Sequence, residues 1–201
     1  MAAVMKDLSI VVGTLAEVLA KTGITTYQRA VATDFNDCEL YWNGSAWRWA
    51  KKWQPLAKFR TAVTAPTDTS ENVLATFTLP AMAANDMLMV KHFWTTVNNA
   101  NAKTAKVNLG ATGGAGTGWS CDLASAAVHN MVTEIRNMND TAVQKWQSNN
   151  KAIFGSTTGG ALQGTTRALG TAGVTLAIAM LKGTGADSVI LEWADFWICG
   201  T

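Results

Sequence analysis

The stretch Tyr41-Trp42-Asn43-Gly44-Ser45-Ala46-Trp47-Arg48-Trp49 limits what this chain can fold into more than any other. Two aromatic-rich runs flank Asn-Gly, the pair that accepts positive φ at both central positions of a type I′ turn. A β-hairpin is therefore predicted here. A second strand-rich region runs from Val73 to Leu109. Within it, Met87 to Thr95 alternates Leu88, Val90, His92 and Trp94 against Met89, Lys91 and Phe93. That period of two is the pattern of a strand with two unlike faces.

The remaining elements follow the same signals. Residues 8 to 12 read as a short strand. Thr14 caps a helix over Leu15 to Lys21, since Glu17 stands at capping-box spacing and Gly23 sits where a helix stops. Strands over Tyr27 to Thr33, Glu39 to Trp42 and Ala46 to Trp49 complete a small α+β hairpin module. Lys51-Lys52 and Pro55 mark its end, which divides the chain into an N-terminal hairpin module, 1–56, and a β-sandwich domain, 57–201. After a Thr-rich connector, strands are predicted at Val73–Leu79, Met87–Thr95, Lys103–Leu109, Met131–Met138, Ala142–Gln147, Lys151–Phe154, Val174–Leu181 and Val189–Ile198. Residues 110–118 and 155–170 read as loops, and 123–129 is either a helical turn or a loop. Short strands separated by turn signals make the fold class all-β, an antiparallel β-sandwich of jelly-roll-like type behind the N-terminal module.

Composition narrows function by exclusion. The 201 residues are 48% hydrophobic and 15% charged, the reverse of a disordered solvating chain. A net charge of +2 with scattered basic residues argues against a nucleic-acid partner. Cys38, Cys121 and Cys199 are odd in number and widely spaced, so buried reduced thiols are expected rather than a zinc site. No apolar run reaches the ~20 residues of a membrane helix, and the N-terminus lacks the pattern of a signal peptide. The expectation is a protein made in a cytoplasm, with no membrane insertion and no cofactor.

Candidate sites are few. Gly110 to Gly118 follows a strand, yet Trp119 stands where a phosphate loop needs Lys, and no helix follows as a dinucleotide fold requires. His92 lies inside the alternating strand, and His129 near Cys121 and Asp122 is the one arrangement with any catalytic reading. Glu192 and Asp195 are expected on opposite faces of the last strand, and the other carboxylates are dispersed, so a glycosidic pair is not supported. Among nine tryptophans, Trp42, Trp47 and Trp49 are the candidate surface-binding aromatics for a sugar ring. The alternative is that they form the core of a module too small to build one otherwise. Trp193 and Trp197 are expected to share a buried face with Val189 and Leu191.

Two passages resemble known families. Tyr27-Gln-Arg-Ala-Val-Ala-Thr-Asp-Phe35 with Tyr41 to Trp49 resembles a hairpin module of bacteriophage tail-fibre and other virion proteins, over about 25 residues. Val73 to Gly110, together with Val174 to Ile198, resembles the β-sandwich of small phage structural proteins, through Leu74-Ala-Thr-Phe-Thr-Leu79-Pro and Lys103-Thr-x-x-Val-x-Leu-Gly110. The glycine loop after Leu109 and Lys51-Lys52 depart from that pattern. The resemblance implies a virion protein, a homotrimeric fibre or knob anchored by its N-terminal module, with no enzymatic residues to carry over. Its partners would be other virion proteins of tail, neck or capsid and, in host-surface attachment, a glycan. Two alternatives stand beside it: a capsid decoration protein that cements the shell, and a lectin-like carbohydrate-binding module.

Overall fold

The computed structural model describes residues 10–25, 28–110, 118–123, 127–148, 163–166 and 168–201. Its strands form three sheets. The first is the N-terminal module, in the order β1 (Ile10–Gly13), β2 (Arg29–Ala32), β3 (Cys38–Trp42), β4 (Trp47–Trp49). β1 and β2 are parallel, joined across helix α1 (Leu15–Leu19); the other pairs are antiparallel. The helix begins as expected: Thr14 accepts from the Glu17 amide, and the Glu17 carboxylate accepts from the Thr14 amide at 2.7 Å. It ends two residues earlier than predicted, at Leu19, with Gly23 at φ 69° beyond it.

The hairpin forms, but not through the expected type I′ turn. Trp42 pairs with Trp47, leaving the four-residue loop Asn43–Ala46, and only Gly44 has positive φ. Asn43 supplies the turn through its side chain, whose Oδ1 accepts from the Ser45 amide at 3.0 Å and the Ala46 amide at 2.9 Å. An asparagine that hydrogen-bonds the backbone ahead of it needs no left-handed conformation of its own.

The other two sheets form the expected sandwich. One runs β10 (Gly118–Asp122), β9 (Lys103–Leu109), β14 (Thr175–Lys182), β7 (Asn72–Thr78). The other runs β13 (Gln163–Thr166), β12 (Val143–Ser148), β11 (Val128–Asn137), β8 (Met87–Thr96), β15 (Val189–Cys199), β5 (Gln54–Phe59), with β6 (Val63–Thr64) also paired to β15. The chain crosses between these sheets from β6 to β7, β7 to β8, β8 to β9, β10 to β11, β13 to β14 and β14 to β15, a jelly-roll-like habit. Phe77 of β7 stacks on Phe196 of β15 at 5.2 Å, across the interior. Leu88, Val90, His92 and Trp94 all point into the core, as their alternation predicts. Each large apolar side chain buried this way contributes about 1.5–3 kcal/mol.

Within the sheets, β13 occupies part of the segment expected to be a loop, while the strand expected at 151–154 lies outside the described residues. The nearly unbroken apolar run of β14 is explained by its two faces. Leu176, Ile178 and Met180 fill the core; Ala177 and Ala179 lie on the other side, where Glu71 joins Lys106 at 2.5 Å and Asn108 at 2.9 Å on the neighbouring strand.

One end of the sandwich is closed by polar groups. Lys103 and Lys182 pair across β9 and β14, both out of contact with water. Lys103 Nζ donates to Asn99 Oδ1 at 2.7 Å and to the Asn101 carbonyl at 2.8 Å. Lys182 Nζ donates to the carbonyls of Gly185 at 2.7 Å and Asp187 at 3.0 Å. The Asp187 carboxyl is held below its ordinary range by the Asn99 amide first, then by Asn101 and Lys103. Buried charges persist only with such partners.

The N-terminal module packs directly on the sandwich. The Trp49 indole donates to the Ala81 carbonyl at 3.1 Å, and its ring meets Phe35 edge-on at 6.1 Å; Phe35 in turn meets Phe77. The Gly200 amide donates to the Ala50 carbonyl at 3.0 Å, and a Cβ on Gly200 would lie 1.9 Å from the Trp49 carbonyl oxygen. The division expected at residue 56 falls inside β5, which pairs with β15 of the large sheet while Gln54 bonds β3.

Candidate functional site

The tryptophans singled out in the sequence are not on the surface as a group. Trp47 and Trp49 are only 7% and 3% exposed, on the inward face of β4, and Trp42 is half-buried edge-on to Trp47 at 5.7 Å. Among the described residues the module has one short α-helix, a 3-10 turn at Thr33–Phe35 and four short strands, so it completes its interior by placing these rings in the seam with the sandwich. That removes Trp47 and Trp49 as a sugar platform and fits the alternative reading, that of core.

The opposite face of the same sheet is the exposed one. Ile10 and Val12 on β1 are 56% and 65% exposed. Val31 and Tyr41 stand on the same face by register, flanked by Arg29, Arg48 and the Glu39–Lys52 ion pair at 2.6 Å. β1 is an edge of this sheet among the described residues. It carries no charged residue and no proline, the usual means by which an open edge is kept from pairing.

A second surface lies on the outer face of the large sheet, and a β-bulge creates it. The register of β15 against β8 shifts between Leu191 and Trp193. One extra residue turns every later side chain over. Val189 and Leu191 therefore point inward with Ala194, Phe196 and Ile198, whereas Trp193 and Trp197 emerge half-buried on the outside. This corrects the expectation that the two tryptophans share a face with Val189 and Leu191. Asp195 joins them on the outer face opposite Lys91.

On that face Trp193 stacks on Phe93, ring planes 3° apart and centroids 5.9 Å apart. The Arg60 guanidinium sits 5.6 Å from the Trp193 ring centre and 2.5 Å from Asp195 Oδ1. The Lys91 ammonium lies 5.1 Å from the Trp197 ring. Further across, Gln147 donates to Glu134, and Met87, Glu134, Arg136, Met138, Lys145 and Gln147 line a groove.

The groups with a catalytic reading do not assemble. His129 is on β11 beside Trp94, while Cys121 and Asp122 are on β10 in the other sheet, beside Ala105 and Thr104. His92 is fully buried; burial lowers its pKa to about 3, and its Nδ1 accepts from the Trp94 indole at 2.8 Å. Cys38 and Cys199 are buried free thiols, and burial first, then Asp37 and Glu39, pushes Cys38 up to about 12. Such a thiol is not a nucleophile at neutral pH. Among the described residues no group of three His, Cys, Asp or Glu side chains is placed to hold a metal, and no helix is long and apolar enough to cross a membrane. Most of the glycine-rich loop, 111–117, lies outside the described residues.

No family model and no curated protein matches the sequence. Solved structures are similar to it at low scores, among them the following. One is the CBM2 module of the evolved Dit of Lactobacillus casei BL23 phage J-1, 9% identical over 76% of this chain and 98% of that one, with a TM-score of 0.39. The second is an engineered GH43 glycoside hydrolase with endo-xylanase and exo-arabinofuranosidase activity, 11% identical over 88% of this chain, TM-score 0.31. The third is the infectious bursal disease virus Gx strain structure, 10% identical over 75% of this chain, TM-score 0.24. The chain spans 41% of each of the last two. Likenesses of this strength carry no role across to the present chain.

Proposed function

We propose that this chain is a non-enzymatic structural component of a bacteriophage particle, a homotrimer held in place through the outer face of its N-terminal sheet and presenting its β-sandwich outward. The observation that carries the reading is the contrast between the two faces of that sheet. Its aromatic face is buried in the seam with the sandwich, while Ile10 and Val12 stand 56% and 65% exposed on an edge strand free of charge. Exposed apolar side chains gathered on one face mark a surface that another protein covers. The hairpin and sandwich passages that resemble virion proteins supply the biological setting.

The test uses the full chain, because removing residues 1–56 would cut β5 and expose the seam. Val12→Lys and Ile10→Lys place a charge on the exposed face without touching the interior. Both variants are expected to fold normally, yet fail to incorporate into particles assembled with them. Light scattering on the purified wild-type chain is expected to report a trimer at micromolar concentration. Normal incorporation of both lysine variants, or a stable monomer, counts against the reading.

A further inference from the structure

We propose that the outer face of the large sheet, from Trp193 and Trp197 across to Arg136 and Lys145, binds an anionic oligosaccharide bearing carboxylate or phosphate groups. This site is separate from the face argued to hold the chain in a particle, and it is tested on the isolated protein.

The first support is charge. Lys58, Lys91, Arg136 and Lys145 occupy registered outer positions and Arg60 reaches the same face through Asp195 and the Trp193 ring, against Asp195 and Glu134, with Glu192 at the bulge. Five cations thus face at most three carboxylates on one surface, whereas the whole chain has 16 Lys and Arg against 14 Asp and Glu. This face carries an excess of at least two cations, and a surface with a net sign draws a ligand of the other.

The second support is how the cations are held. Lys91 lies over Trp197, and Arg60 lies over Trp193 while bonded to Asp195. Cations seated on rings are already partly ordered, so binding loses less side-chain freedom. A carboxylate or phosphate on a sugar would meet charge-assisted donors there.

The third support is reach. Trp197, Met89, Glu134 and Gln147 form one row across β15, β8, β11 and β12. With strands about 4.8 Å apart the row spans roughly 14 Å, suited to a short saccharide chain. Single-stranded nucleic acid is disfavoured because stacked bases need free ring faces. Here Phe93 and Trp193 cover one another, and Arg60 and Lys91 lie over the Trp193 and Trp197 rings.

Titration calorimetry on the full chain would compare an oligogalacturonate, a sugar-phosphate oligomer, the neutral galactose oligomer of the same length, inorganic polyphosphate and oligo-dT. Tighter binding of either acidic saccharide than of all three controls is expected, and which one binds identifies the anionic group. Lys91→Gln and Lys145→Gln, both surface changes that leave folding intact, should each weaken that binding about tenfold. Lys51→Gln, on the N-terminal module, should leave it unchanged. Absence of acidic-saccharide binding overturns the proposal, as does equal binding of polyphosphate, tighter binding of oligo-dT, or equal loss with Lys51→Gln.

Discussion

At the scale of single residues, two buried titratable groups set opposite pH dependences. Asp86 is 2% exposed, and burial raises its pKa to about 6, against the opposing pull of the Ala83 and Thr201 amides and Arg48. Its folded pKa exceeds its unfolded value, so its contribution to stability is complete below about pH 4 and is lost as pH rises through 6. His92 is the reverse: with a folded pKa of about 3, its contribution is complete above about pH 6.5 and is lost on acidification. At full effect Asp86 is worth about 3 kcal/mol and His92 about 5 kcal/mol, and between pH 4 and 6 they oppose each other. Asp86→Asn should remove one side of that balance. Guanidinium unfolding of the variant is expected to show stability falling steeply from pH 6 to 4, where the wild type stays nearly level; parallel profiles would contradict this. The burial of His92 was legible from its place between Val90 and Trp94. Asp86 was not, because nothing in Ala-Asn-Asp-Met shows that its carboxylate turns inward to accept from the chain terminus side of the fold.

At the scale of elements, strand identity was more legible than strand facing. Period-two alternation located β8 and β9 closely, and the capping box located α1. The bulge in β15 left no such trace. Leu191-Glu192-Trp193 reads equally well as plain alternation, and only the fixed register of β8 beside it forces one residue out of step. Plain alternation therefore puts Trp193 and Trp197 on the inward set, and the surface aromatics are not legible from it. The hairpin loop shows a gentler version of the same limit: Asn43-Gly44 marks a turn correctly but not which group closes it. Because Asn43 Oδ1 accepts from two backbone amides, Asn43→Ala should destabilise the protein by about 1–2 kcal/mol. Asn43→Asp, which keeps the acceptor, should recover most of that loss. A chemical melt that ranks the two variants equally would show that the side chain does not close the loop.

At the scale of the molecule, the module and the sandwich share one interior. Trp49, Phe35, Phe77 and Phe196 form a chain of ring contacts running from the small sheet through to the large one. Nothing in the local sequence shows this, because the seam joins residues about 150 positions apart, such as Ala50 and Gly200. Gly200→Ala tests it, since the added carbon meets the Trp49 carbonyl at 1.9 Å. The variant is expected to lose about 3 kcal/mol or more, with aromatic fluorescence and far-ultraviolet dichroism still moving in one coincident transition. Two separate transitions in the wild type would show instead that the small sheet melts by itself.

The closed end of the sandwich has a chemical consequence of its own. Lys103 and Lys182 keep their amines behind backbone carbonyls, so acylating reagents that decorate exposed lysines such as Lys51 and Lys58 reach this pair only when the Asn99–Asp187 contact opens. Their slow labelling thus becomes an internal clock for the breathing of that end.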